Sequence, residues 1–251
     1  MMSSLASQTT NENSQLLTNY LTTVSIPQRR LVKLEIDLVP QIRDKWEKTL
    51  ADVTTDRHLA EDAINALYGN AGLTQPRILW TENPLTAMMI LLNRPDLVDV
   101  ASSLLRWIWT ASEQEINHQI DPEFIRVVKA YANPRARIDS DTELISADPL
   151  GDFLNQVLIA KIRQVYPQLD ITTLPTALQD YRIAYLSYFD YFAQIGLDLP
   201  QIRPAIDLAK SCGCCWAFGN IVIVTPKPTA IEFDEQGILT ALVYDGVNII
   251  G

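Results

Sequence analysis

The residues best equipped for chemistry are gathered in Cys212-Gly213-Cys214-Cys215, which holds all three cysteines of the chain. Cys212 and Cys215 have the spacing of a C-x-x-C redox pair. That chemistry needs a thiolate at a helix N-terminus, where the dipole lowers its pKa. Here the cluster follows a helical stretch and precedes a β-branched one, so the negative helix end raises the thiol pKa instead. A zinc centre needs four ligands, and no second C-x-x-C or paired His completes one. The segment reads as a small-residue junction whose buried thiols act as modest hydrophobes.

The two histidines offer little more. Glu115-Ile116-Asn117-His118 has the Glu-x-x-His spacing of di-iron bundles, but the only other histidine stands in reversed order, His58-Leu59-Ala60-Glu61. Half of the required ligand set is therefore missing. Asp139-Ser140-Asp141-Thr142-Glu143 begins like a calcium loop, yet Leu144 stands where Gly is needed and Leu150 where Glu is needed. The chain contains no Gly-x-Ser-x-Gly elbow, phosphate loop or Gly-x-Gly-x-x-Gly turn. Tyr181, Tyr185, Tyr188, Phe192 and Ile195 recur at helical spacing. Such a stripe is core with hydroxyls at its rim, or the lining of a pocket.

The elements that would position these residues divide the chain in three. Residues 1–27 are rich in Ser, Thr, Asn and Gln and read as a flexible arm with no signal-peptide pattern. Residues 28–251 read as a single compact domain, helical over 28–210 and β over 211–251. Arg29 to Leu50 is a helix interrupted near Pro40. Thr55-Asp56 starts a helix running through Tyr68. Arg77 to Trp80 is a short extended segment, and Pro84 opens a helix through Leu92. Asp96 is placed to cap a helix running to about Glu115. Asp121-Pro122 and Asp148-Pro149 start two more, ending at Tyr131 and Val165. Asn133 to Ala147 reads as a surface loop. The tyrosine helix stops at Gly196, and Pro200 to Lys210 gives the last one.

Beyond Ser211 the composition changes. Ile221 to Thr225 is a buried strand, and Ile231 to Asp234 alternates. Glu235-Gln236-Gly237 and Asp245-Gly246 are turn signals, so the tail reads as an antiparallel meander packed on the helices. The expected fold is α+β, a mostly α-helical body with a small C-terminal β-meander.

Composition narrows the partners. With 47% hydrophobic residues the 251-residue chain can bury a core of its own. The net charge of −10 argues against nucleic acid and against anionic membrane surfaces. No apolar run has the length of a membrane span. Clustered, odd-numbered cysteines make a poor disulfide framework, which points to the cytoplasm.

Two stretches resemble an uncharacterised bacterial family catalogued as a domain of unknown function. The first is Thr55-Asp56-Arg57-His58-Leu59-Ala60-Glu61, continued by Leu67-Tyr68, Gly72-Leu73, Pro76, Ile78, Trp80 and Asn83-Pro84. The second is Tyr188-Phe189-Asp190-Tyr191-Phe192, continued by Ile206 to Ala209, Ser211-Cys212-Gly213, Trp216, Pro228 and Asp234-Glu235-Gln236-Gly237. The Ser-Cys-Gly-aromatic junction before the meander is the more specific of the two. The family tends to carry tryptophan where Cys214 and Cys215 stand, and proline near Ala217. The resemblance implies a fold and supplies no activity.

The first expectation for function is a non-catalytic interaction or regulatory protein, because no catalytic or cofactor motif is complete. The alternative is an enzyme acting on a small molecule or peptide between helical body and β-tail. Its candidate pocket is Asp56, Arg57, Glu61, Trp80, Tyr188, Asp190, Cys212 and Trp216, chosen as acid, base and aromatic types within the resembling stretches. No cofactor or metal is expected. The partner is an unidentified protein or small-molecule ligand.

Overall fold

A computed structural model describes residues 35, 37–94, 96–97, 100–132, 136–138, 144–146, 149–165, 167–168, 183–234 and 239–250. The proposed arm at 1–27, the acidic run Asp139 to Glu143, Tyr181 and the turn at Glu235 to Gly237 lie outside them. The described chain is α+β and mostly helical, with a C-terminal three-stranded sheet. No helix among the described residues is long and apolar enough to cross a membrane.

The local signals place most boundaries. Helix α1 (Leu38–Ala51) carries Pro40 in its first turn, where a missing N–H breaks no helical bond. Helix α2 (Arg57–Asn70) is capped by Asp56, whose carboxylate accepts the Leu59 N–H at 3.0 Å. Strand β1 (Arg77–Trp80) leads to α3 (Pro84–Leu92), capped by Asn83 and opened by Pro84. Helix α4 spans Ala101–Gln119, beginning five residues beyond Asp96. The Asp96 carboxylate is instead held by the Arg94 guanidinium through two bonds of 2.7 Å, so the expected cap is engaged elsewhere.

Helix α5 (Pro122–Tyr131) precedes a hairpin, β2 (Ala136–Ile138) with β3 (Leu144–Ser146), inside the stretch read as a loop. Helices α6 (Pro149–Val165), α7 (Ile183–Gln194) and α8 (Arg203–Ser211) follow. Five strands complete the chain: β4 (Cys215–Ala217), β5 (Ile221–Val224), β6 (Ala230–Phe233), β7 (Leu239–Tyr244) and β8 (Val247–Ile250).

The reading of 211–251 as one meander needs correction. The meander is β6-β7-β8, closed by the Asp245-Gly246 turn with Gly246 at φ +77°. Strands β4 and β5 belong to a different sheet of order β1-β5-β4. There β5 runs parallel to β1, from Arg77 opposite Ile221 to Trp80 opposite Val224. The reason is the side chains of β5: Val222, Ile223 and Val224 are all fully buried. A strand apolar on both faces needs cover on both, which a meander open to water on one side does not give.

This mixed sheet separates two cores. Ile78 and Trp80 of β1, Val222 and Val224 of β5, and Cys215 and Ala217 of β4 face the helices α1, α2, α4, α5, α7 and α8. Their sequence neighbours Leu79, Ile223 and Trp216 face α3, α6 and the C-terminal sheet. The period-2 alternation of a strand thus assigns each residue to a core. On the meander, Ile231, Leu242 and Ile249 form one cross-strand row directed into the second core.

Candidate functional site

Helix α7 supplies two of the candidate residues, and its burial explains their surroundings. From Leu186 to Phe192 every side chain is buried, so Tyr188 and Phe192 of the stripe stand on a helix segment enclosed all round. Phe189 packs edge-on with Trp109 and Phe192 with Phe124, and Tyr191 is tilted against Phe124. Asp190 sits in this apolar helix at 6% exposure. A carboxylate there is tolerable only with donors on it. Oδ2 accepts from Lys45 Nζ at 2.6 Å and from Trp46 Nε1 at 2.9 Å, and Oδ1 from Gln194 Nε2 at 3.2 Å.

Lys210, in the last turn of α8, belongs to the same cluster. It is half-buried, and its pKa is drawn below the usual lysine range by burial and then by the Lys45 ammonium, against Asp190 and Asp207. Neither Lys45 nor Lys210 was singled out from sequence. Both stand in amphipathic helices where a lysine reads as a solvated surface residue, and only the packing of the helices distinguishes them.

Arg57, Glu61 and Trp80 form a second group, at the C-terminal end of β1. Glu61 Oε1 accepts the Trp80 indole N–H at 2.8 Å. The Arg57 guanidinium lies 4.9 Å from the indole ring centre, in cation–π range. Helix α2 presents Arg57 and Glu61 one turn apart, and β1 brings Trp80 to them. Asp56 is next in sequence, but its carboxylate is spent on the α2 cap.

Asp56 is also where the two resembling stretches meet. Its N–H donates to the Ser211 carbonyl at 2.8 Å. The neighbouring Thr55 Oγ1 accepts the Lys227 N–H at 2.8 Å, and the Lys227 ammonium lies 3.5 Å from Asp52. At the junction itself, Gly213 N–H donates to the Thr225 carbonyl, and the Cys214 N–H to Thr225 Oγ1 at 2.8 Å. A Cβ on Gly213 would collide with the Pro226 carbonyl. Thr55, Asp56, Ser211 and Gly213 therefore fasten the start of α2 to the end of α8 and to the chain leaving β5.

The cysteines lie in this junction, buried and outside any disulfide. The Cys212 thiol donates to the Leu208 carbonyl at 3.5 Å. Burial pushes the Cys215 thiol well above its usual pKa. Trp216, at 3% exposure, faces the second core, across the sheet from Cys212. Tyr188 is enclosed at 1% exposure, and its hydroxyl is buried without a hydrogen-bond partner. Burial and the negative charge of Glu113 raise its pKa, while Lys129 Nζ lies 4.9 Å from its ring centre.

The eight candidates therefore stand in separate settings. Arg57, Glu61 and Trp80 come together, with Asp56 beside them in the sequence. Asp190 faces Lys45 and Trp46, and Tyr188, Cys212 and Trp216 are core. His58 pairs with Asp62 at 3.0 Å on the surface, and His118 is exposed. Among the described residues no group of three His, Cys, Asp or Glu could hold a metal ion. Compared with known proteins, the chain matches no family model, no curated protein and no solved structure.

Proposed function

We propose that the protein is a non-catalytic interaction protein that binds an extended cationic segment of a partner along the β6 edge of its C-terminal sheet. The observation that carries this is Phe233, a large apolar side chain 58% exposed on an edge strand. Among the described residues no strand pairs with the outer side of β6. An open edge offers a ladder of backbone donors and acceptors to a peptide, and pockets beside it supply specificity. Acidic Glu232 and Asp234 flank Phe233, and the only basic residue after Lys210 is Lys227. A cationic strand is the complement of that edge.

Three further considerations support the setting. Cys212, Cys214 and Cys215 are buried thiols outside any disulfide, as suits a reducing cytoplasm. Tyr188, Cys212 and Trp216 have structural positions that leave a dispersed catalytic site little material. The fastening role of Thr55, Asp56, Ser211 and Gly213 supports reading the residues shared with the uncharacterised bacterial family as determinants of fold.

The test is a peptide of alternating valine and lysine, labelled and titrated with protein by fluorescence anisotropy. Saturable binding that weakens with salt and falls at least tenfold in Phe233→Ser is the expected result. A peptide that fails to bind, or binds Phe233→Ser equally well, refutes the proposal.

A further inference from the structure

The C-terminal sheet has two edges, and their chemistry differs. Among the described residues no strand pairs with the outer side of β8, as none does with that of β6. Strand β6 carries Glu232 and is followed by Asp234, whereas β8 reads Val247-Asn248-Ile249-Ile250 and has no charge. Natural sheets guard an exposed edge with charged side chains. The β8 strand lacks that guard and carries Ile250, a large apolar side chain 59% exposed.

Backbone geometry fixes which groups this edge offers. The two-residue turn Asp245-Gly246 joins Tyr244 to the facing Val247, the pair that such a turn closes by hydrogen bonding. Hydrogen-bonded and non-hydrogen-bonded pairs alternate along an antiparallel ladder. Val247 and Ile249 therefore turn their N–H and C=O groups toward β7, and Asn248 and Ile250 turn theirs outward.

We propose that the β8 edge pairs antiparallel with β8 of a second copy of this chain, giving a two-fold dimer with one continuous six-stranded sheet. Facing residues of a ladder share one side of the sheet. With the two-fold axis at Ile249, that residue faces its mate, and Asn248 of each copy faces Ile250 of the other. Every outward N–H and C=O of Asn248 and Ile250 is then used, in four backbone hydrogen bonds. An axis at Asn248 would need Gly246 to continue the strand, and Gly246 holds the left-handed conformation of the turn. The row Ile231, Leu242 and Ile249 runs on into the same row of the second copy. On the opposite side the two Ile250 side chains stand diagonal to each other and shield one another from water.

Charge and symmetry favour this occupant over the other pairings. Setting β6 against β6 brings Glu232 and Asp234 of one copy to their like on the other. Setting β6 against β8 is head-to-tail and runs on into rings or filaments. Setting β8 against β8 closes on itself and brings no charge to the seam. The two Asp245 residues, in the turns that lead into β8, are roughly 27 Å apart along the strands, well beyond the screening length of about 8 Å. A four-residue seam is smaller than the roughly 1,200 Å² of a standard stable interface, so the dimer is weak and concentration-dependent. Both β6 edges stay open in it, and it does not rest on the peptide reading.

The test is sedimentation velocity on the full chain, from low micromolar to near-millimolar concentration. The weight-average mass of the wild type is expected to rise from one chain toward two and to stop there. Asn248→Pro removes an outward N–H and spares the ladder with β7. Ile250→Lys brings two ammonium groups together across the seam. Each should weaken dimerisation at least tenfold, and Phe233→Ser should dimerise as the wild type does. A wild type that stays monomeric throughout, that grows beyond the dimer, or whose dimer survives Ile250→Lys unweakened overturns the proposal, as does a dimer lost in Phe233→Ser. Ile250 is exposed, so Ile250→Lys carries the test even if Asn248→Pro fails to fold.

Discussion

Trp46 donates its indole N–H to the Asp190 carboxylate at 2.9 Å, and both side chains are shut away between α1 and α7. The bond lets an apolar helix carry a charge. Asp190→Ala removes the acceptor and leaves the Trp46 donor and the Lys45 charge without it. Losing one partner of a buried charge pair costs about 3 kcal/mol. Lys45 is partly exposed, which places the loss toward the low end. Urea unfolding should show Asp190→Ala destabilised by about that amount. Trp46→Phe keeps the ring and should cost about 1–3 kcal/mol. Equal stability of wild type and Asp190→Ala would contradict the structure.

Two glycine replacements should have opposite signs. Gly213→Ala drives a methyl into the Pro226 carbonyl, and overpacking of this kind costs about 1–3 kcal/mol. Gly69 lies in α2 with open space where its Cβ would stand. Gly69→Ala should be neutral or stabilising by up to about 1 kcal/mol, from the better helix propensity of alanine. Thermal melts of the pair separate the steric effect from the general effect of adding a methyl.

The thiols should be silent in the folded protein. A disulfide reagent at pH 7.5 should label none of the three cysteines until urea unfolds the chain, because all are buried. The raised Cys215 pKa also fixes a pH dependence. Above about pH 8.5, the ordinary thiol value, the unfolded chain releases a proton that the folded one keeps. Stability should therefore fall as pH rises beyond that point. Cys215→Ala should flatten the fall, and an unchanged slope would reject burial as its cause.

Lys210 has the opposite sign. Its depressed pKa means that the unfolded chain holds a proton more tightly, so the site weakens the fold at neutral pH and ceases to as pH rises toward 10. Lys210→Met should raise stability at pH 7 by about 0.5 kcal/mol, the scale of a surface substitution. The gain should vanish near pH 10 in denaturant titrations at both values.

Phe233→Ser should change binding alone. The side chain is mostly in water, so its removal should shift stability by less than about 0.5 kcal/mol. A large loss of stability would show that Phe233 belongs to the core.

Local signals were legible where a residue acts on its own neighbours. Asp56 as a cap, the proline-led starts of α3, α5 and α6, and the Asp245-Gly246 turn are all readable, because each depends on a few adjacent backbone groups. Asp96 misled because a guanidinium two residues away took its carboxylate. The assignment of β5 to the sheet of β1 was hidden, since nothing local to Ile221–Val224 names a partner so distant in sequence. The candidate residues were chosen by type, and type does not say whether a side chain is accessible. Tyr188 and Trp216 look the same in a sequence whether they line a pocket or fill a core. Lys45 acquires its place only from Asp190 across α7, and Lys210 its lowered pKa from burial.

The parallel pairing of β1 with β5 also sets a schedule for the chain during its synthesis. Thr81, just beyond β1, donates its N–H to Val224, and the two residues are 143 apart in sequence. At about 5–20 residues per second, the ribosome needs roughly 7–30 s to deliver the second after the first. For almost all of that interval Arg77–Trp80 has no β5 to pair with, and the two other strands of its sheet, β4 and β5, come only at its end. The nascent protein must cross this window with an apolar strand uncovered, which makes its yield in cells sensitive to translation speed and to chaperones that shield exposed strands.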